Sequence, residues 1–567
     1  MIGGFILSKI LEEYDVEYVF GVPGGQTLAF YWGILESSKI SHLLFRCERC
    51  AGYAAMAYSM IKFKPGVCDA TVGPGATHLL PSVAEAWGAS IPLIAITSDN
   101  PAWTVNKWAS QSCDQISMFK PFVKASFNIL DTSKIIYYVN EAFKIATSGR
   151  PGPVHLNIPM DVLMRNIEVD EDEFIVDEVY STYPSNRPVP SRKDILKAAN
   201  LILSSRSPVI LAGGGVILSQ ASSELLQLSE MLSIPVVTTI TGKGSISEDN
   251  PLSVGVGGVT LKECANKFLR EADVAIIVGC KTGQYATLNW TLPPKTMKII
   301  HVDIDPNEIG RNFPVEVALI GDAKATLNEL LKAIMSLVTK HHLFLLSRRK
   351  SLIKAVVEKW RKSIEHLMNS NEIPIHVPRI IKELRSILPR DAIFVCDGSM
   401  ASFYGAIYYD VLSQGRYFIA PRGMAGIGAG FPLTLGAKIA SPNNIVVGMG
   451  GDGGFAYSLH ELETSRRLRI PVVYIVLNNS SFGWIRMAEL NYFGKTISTN
   501  FTELNYAKIA EAFNCLGFRV ERPGELRDAL IEAIKASSDY KCAAIVDVVT
   551  AVKPASKALV EMPVINY

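Results

Sequence analysis

Short runs rich in Val and Ile recur along the sequence, each ending in a turn and followed by a stretch of helical periodicity. Examples are "SPVILAGGG" from Ser207, "DVAIIVG" from Asp273 and "NIVVGMGGDG" from Asn444. Runs this apolar, without in-and-out alternation, suit strands covered on both faces, and the helices between them supply the crossovers of a parallel sheet. The expected fold class is therefore α/β, with three doubly wound parallel-sheet domains. Residues 1–180 form the first, 190–335 the second and 372–567 the third. An acidic and then Ser/Pro-rich linker at residues 170–192 and a basic helical stretch at about 340–370 mark the crossings. The latter interleaves its Lys and Arg with apolar residues at helical spacing, which reads as a solvated helix face.

The same pattern explains a mean hydropathy of +0.21 without a membrane span. Every apolar run breaks at Gly, Pro or a charge well short of the ~20 residues a bilayer crossing needs. The opening Met1-Ile2-Gly3-Gly4-Phe5, with Glu12, Glu13 and Asp15 close behind, lacks the basic start of a secretion signal. With 56 Lys+Arg against 54 Asp+Glu, the net charge is +2, which argues against nucleic acid or anionic membranes as partners. The nine cysteines are odd in number and scattered, as expected for reduced thiols in the cytoplasm. Cys47-x-x-Cys50 is a lone pair and reads as small residues in a packed turn.

The sharpest local signal is "GGDGGFAYSLHELETSRRLRIPVVYIVLNNSSFG". A strand from Ile445 to Gly448 delivers Gly450-Gly451-Asp452-Gly453-Gly454 to a helix start, where backbone N–H groups can meet an anion. Asp452 makes sense there if a hard cation sits between its carboxylate and phosphate oxygens. The 24 residues 454–477 hold one helix and one strand, returning the chain to the same sheet edge at Asn478-Asn479. Asn479 then offers an amide oxygen to the same ion.

Gly-Asp-Gly, 24 residues and Asn-Asn together resemble the cofactor motif of the thiamine-diphosphate-dependent enzymes. The resemblance implies Mg²⁺ ligated by Asp452, Asn479 and the backbone carbonyl of Ser481, with Gly451, Gly453 and Gly454 beside the diphosphate. It implies a diphosphate contact through Gly398, Ser399 and Met400 of "CDGSMASF", although a polar residue is commoner at the last position. In "PRGMAGIGAGF" it makes Ile427 the apolar wedge that folds the cofactor and Ala425 the carbonyl that accepts the cofactor amine; many relatives have Gly at the latter. Glu48, which opens an Ala-rich helix after a strand, becomes the carboxyl that activates the cofactor through pyrimidine nitrogen N1′. "GVPGG" brings Pro23 and Gly24 to the pyrimidine. Further segments, among them "VGPGATHLLPSVAEAW" and "HVDIDPNEIGRN", look like the acetolactate synthase and pyruvate oxidase group along the whole chain. The domains are then pyrimidine-binding, central Rossmann-like and diphosphate-binding. The family pattern also implies a homo-oligomer, dimer or tetramer, whose active sites combine Glu48 of one chain with Asp452 of another.

The reaction that the resemblance implies is acetolactate-synthase-like: decarboxylation of a 2-oxo acid such as pyruvate, then carboligation. "ASQSCDQISMFKPFVK" aligns with that family's segment carrying an active-site Gln, here Gln111. Departures stand beside it: Ser110 for Phe, Met160 for Lys and Ala488 for the Trp of the second-substrate site. Pyruvate oxidase, a 2-hydroxyacyl-CoA lyase or oxalyl-CoA decarboxylase, and a non-catalytic regulatory homologue are the alternatives. Gly-rich turns in the second domain leave it open to FAD, an ADP-type ligand or neither, since Lys281 stands where relatives clamp FAD with Arg.

Overall fold

The computed structural model describes residues 1–260 and 262–555; the last twelve residues assigned to the third domain lie outside them. The described chain forms three α/β domains, each on a six-stranded sheet, and every strand pairing in the sheets is parallel. With strands numbered along the chain within each domain, the first and third sheets share one order, 2-1-3-4-6-5. The central sheet runs 3-2-1-4-5-6, the order of dinucleotide-binding folds. No sequence repeat announces the shared topology of the first and third domains.

The apolar runs behave as doubly covered strands. In the central sheet, Ile210, Ile276 and Ile300 pack into one core, while their neighbours Val209, Ala275 and Ile299 pack into another on the opposite face. This is the period-two alternation of a pleated strand, with both sides apolar. Among the described residues, no helix is long and apolar enough to cross a membrane.

A third core joins the first and third domains. It takes Phe20, Cys68 and Ala95 from one sheet and Val395, Tyr474 and Val476 from the other. Between them lie the helices Glu48–Lys62 and Gly430–Ala440. A Cβ on Gly436 would stand 2.1 Å from the carbonyl oxygen of Ala54, so only glycine allows these axes to come this close. The Ala-rich sequence of the first helix thus has a packing cause.

The interdomain segments are more ordered than their composition indicates. In the linker at 170–192, Phe174 and Tyr183 are buried, and the Tyr183 hydroxyl donates to the Ser59 carbonyl at 2.8 Å. The basic stretch is one helix, Lys340–Met368, whose side chains from Arg349 onward are mostly exposed, as expected. Ile353 and Trp360 anchor it, and Lys262 lies 4.5 Å over the indole.

Lys243 of the central domain is wholly buried and pairs with Glu248. It also donates to the Ala406 carbonyl at 3.2 Å, and Glu248 accepts from the Val411 N–H at 2.8 Å, so the pair bonds the central domain to the third. Burial pushes the Lys243 ammonium below its ordinary range, with Glu248 opposing. Glu248→Gln leaves a buried ammonium without its counter-charge and is expected to cost about 3–5 kcal/mol. A lowered unfolding midpoint in calorimetry checks this.

Candidate active site

The strand expected over 445–448 continues to Gly451, so that Asp452 itself opens the helix Asp452–Phe455. The glycines do not end the strand because it is hydrogen-bonded on its far flank through Gly450↔Val476 and Gly451↔Leu477. They are needed there: a Cβ on Gly448 or Gly450 would meet Tyr474 at 2.3 or 2.2 Å. The chain then returns through a second helix, Glu461–Leu468, and the strand Val473–Asn478, rather than through the single helix expected.

This return brings the motif together. Asp452, Asn479 and Ser481 line one cavity of about 280 Å³, with Gly398, Ser399, Met400, Ile427, Gly451, Gly453 and Gly454 in its walls. The cavity lies beyond the carboxyl ends of strands 1, 3 and 4 of the third sheet, where the strand order reverses. Ligands bind at such switch points in open α/β sheets. Burial raises the Asp452 carboxyl to about 6, against the opposing backbone N–H groups of Gly453, Ser480, Asn479 and Ser481. The Ser481 hydroxyl donates to Asn479 Oδ1 at 2.9 Å. Three oxygen-bearing residues therefore face one another, an arrangement suited to a hard divalent cation. A Cβ on Gly451 would meet nothing within 4 Å, so its face opens to the cavity; one on Gly453 would strike the Phe482 ring at 2.8 Å.

Ala425 lies just outside these walls. Its φ of +57° explains why glycine suits the position, since a left-handed residue with a Cβ costs roughly 1–2 kcal/mol. Ser399 has φ +63° and ψ −146°, a backbone state nearly confined to glycine, at the start of the helix Met400–Tyr408.

Two buried carboxylates missing from the sequence reading hold this loop. Asp397 accepts from the N–H groups of Gly428 and Gly430, both at 2.9 Å. Glu85, reaching over from the first domain, accepts from Gly423, Met424 and Ala425 at 2.5, 2.7 and 2.9 Å. Trp484 is also in the cavity wall, stacked on Phe403 at 5.3 Å, whereas Ala488 and Arg486 are not. The indole bulk that Ala488 lacks thus enters from four residues earlier. Lys553, beyond the last strand, is a further lining residue without a motif to announce it.

Glu48, Gln111, Pro23 and Gly24 lie elsewhere, on the corresponding edge of the first sheet, and none lines the cavity of its own chain. A Cβ on Gly24 or Gly75 would touch Thr71, and one on Gly75 would come 3.3 Å from Glu48 Oε1. Gln111, exposed and at φ +65°, packs its backbone against Gly73. Glu48 is buried, and desolvation holds its carboxyl above the usual range, with His78 at 3.4 Å working in the opposite direction.

A second cavity, of about 300 Å³, lies where all three domains meet. Gly213, Gly214, Gly215, Thr241 and Asp303 contribute from the central domain, and Arg416 and Arg422 from the third. Burial raises Asp303 to about 6, and Lys281 donates to the Gly88 carbonyl at 2.6 Å.

Glu85→Ala removes the acceptor for three part-buried N–H groups and is expected to destabilise the folded chain by about 3 kcal/mol. Faster proteolytic cleavage within 423–430, with the other loops unaffected, is the accompanying readout.

Comparison with known proteins matches the same three units. The family model for the thiamine pyrophosphate enzyme N-terminal TPP binding domain covers residues 1–118, the central domain 195–330 and the C-terminal TPP binding domain 397–548. A "Probable acetolactate synthase large subunit" of Methanococcus aeolicus is 37% identical, over 95% of this chain and 91% of that protein. Its counterpart in Methanocaldococcus jannaschii is 35% identical, over 96% and 92%. The "Acetolactate synthase large subunit" of Pyropia yezoensis is 31% identical, over 94% and 90%. Both the domain matches and these near-full-length likenesses lead to one conclusion: the chain belongs to the thiamine pyrophosphate enzyme family, as an acetolactate-synthase-like, thiamine-diphosphate-dependent enzyme.

Proposed function

We propose that the chain decarboxylates a 2-oxo acid such as pyruvate and joins the remaining two-carbon unit to a second 2-oxo acid, forming acetolactate. The observation that carries this reading is the meeting of Asp452, Asn479 and Ser481 on a glycine-walled cavity at the switch point of the third sheet. Mg²⁺ is the ion we assign there, held by the Asp452 carboxylate, the Asn479 amide oxygen and the Ser481 carbonyl; an all-oxygen donor set suits it. The bound thiamine diphosphate supplies the electron sink that decarboxylation of a 2-oxo acid requires.

The chain's own residues position and protonate. Ser399 and Met400 would border the diphosphate, Ile427 would support the cofactor, and the Ala425 carbonyl would accept its amine. Glu48 holds a proton at the pyrimidine ring, a role supported by the upward shift that burial imposes on it. Because it does not line its own chain's cavity, we assign it to the cavity of a second copy, in a homo-oligomer with sites between subunits. Gln111 stands at the mouth. Residues 1–180, 190–335 and 372–567 then serve as pyrimidine-binding, central and diphosphate-binding domains. In the second cavity, the glycine turn, Asp303 and two arginines support an ADP-containing ligand such as FAD. Nine free cysteines suit a cytoplasmic setting.

The acetolactate synthase names of the relatives favour this reaction over the oxidase and lyase alternatives. Incubation of purified protein with pyruvate, thiamine diphosphate and Mg²⁺, with and without FAD, is expected to yield acetolactate by NMR. Acetate with peroxide, acetyl phosphate, acetaldehyde or no turnover would each overturn the assignment. Glu48→Gln is expected to retain the cofactor in equilibrium dialysis but to slow hydrogen–deuterium exchange at thiazolium C2 by about 10²–10⁴-fold. Exchange at the parental rate would remove Glu48 from its role.

A further inference from the structure

Two cysteines flank Glu48, and the fold brings a third donor to them from the other end of the chain. Cys47 is the N-cap of the helix Glu48–Lys62, and Cys50 lies on its first turn. N-cap and third-position side chains meet at a helix start, which puts both sulfurs on one side. His460, just before the helix Glu461–Leu468 of the third domain, lies against them. Cys50 Sγ is 3.8 Å from His460 Nε2, and both sulfurs and a ring nitrogen lie within 4.8 Å of one another. No other such group of metal-ligating side chains occurs among the described residues.

A tetrahedral ion with Zn–S of about 2.3 Å and Zn–N of about 2.0 Å holds its ligand atoms about 3.5–3.8 Å apart. The cluster needs only a small contraction to reach that spacing. Cys50 is buried, while Cys47 and His460 are half-buried, so a path from solvent exists. Coordination as a dithiolate would release the thiol protons. Glu461 Oε1 lies 3.5 Å from His460 Nε2, but this carboxylate already accepts from the Arg46 N–H and the Thr464 hydroxyl.

We propose that Cys47, Cys50 and His460 form a binding site for a thiophilic divalent ion of the zinc class, with water in the fourth position, bridging the first and third domains. The site is distinct from the one at Asp452, and ligand softness sorts the two ions. Thiolate and imidazole select zinc-like metals, and an all-oxygen set selects Mg²⁺. It stands on side-chain geometry alone, whatever reaction the enzyme performs.

The test uses the full-length protein, reduced under anaerobic conditions, loaded with thiamine diphosphate and Mg²⁺, and titrated with Co²⁺. One equivalent per chain is expected to bind with thiolate-to-cobalt charge-transfer absorption and tetrahedral ligand-field bands, both displaced by Zn²⁺. Cys47→Ser combined with Cys50→Ser should abolish the charge-transfer band. His460→Ala, which leaves the cysteine-bearing helix start intact, should weaken Co²⁺ binding at least about 10-fold, and it decides the matter if the double variant does not fold. Absence of the band in the reduced parent protein would overturn the proposal. So would unchanged affinity in His460→Ala, or a Cys47–Cys50 disulfide that persists under reductant.

Discussion

The contact between helices Glu48–Lys62 and Gly430–Ala440 governs much of the rest. It is made at backbone distance because Gly436 has no side chain to interpose before Ala54. Around it, one apolar core runs from the first sheet to the third. The first and third domains are in that sense a single packed body, and Glu85 depends on it. Its carboxylate reaches the N–H groups at 423–425 only because its helix is held against that loop, where a Cβ on Gly88 would come 2.5 Å from Gly423 Cα. Asp397 fixes the following residues from within the third domain. Two carboxylates from opposite sides therefore set the backbone on which Ala425 and Ile427 ride.

These carboxylates also show how a chain of net charge +2 can bury acidic groups without pairing each with a base. Asp397, Asp452 and Glu48 are each raised by burial. The first two are opposed by backbone N–H groups, not by lysine or arginine. Backbone dipoles hold such groups with little mobile charge, and a divalent ion can then mediate between a carboxylate and a phosphate. The fixed arginines instead stand in the three-domain cavity.

Much of this was legible in the sequence because burial on both faces of a strand dictates its composition. The Val- and Ile-rich runs therefore disclosed the strands, and a spacing of one crossover disclosed that Asp452 and Asn479 meet. Glu85 and Asp397 were not legible. A carboxylate that binds backbone N–H groups imposes no side-chain pattern on its partners, so the signal exists only in three dimensions. The same holds for His460, which lies 410 residues from Cys50 and completes a cluster that the lone Cys-x-x-Cys could not announce. The strand runs past Gly448 to Gly451 for a related reason. Glycine weakens an isolated strand, yet Gly448 and Gly450 are tolerated, and required, where the Tyr474 ring crosses.

The first and third sheets share one strand order, yet their equivalent edges carry unlike residues: Pro23, Gly24 and Glu48 on one, Asp452, Asn479 and Ser481 on the other. These residues lie in the connections or at the ends of strands and helices, beyond the shared strand order. Such an architecture can vary its connecting segments, among them those around Gln111 and Trp484, while the doubly covered strands stay as they are. The departures at Ser110, Met160 and Ala488 fall in such connections or in the helices that follow them. All three lie outside the strands that build the sheets, so the scaffold is indifferent to which side chain stands there.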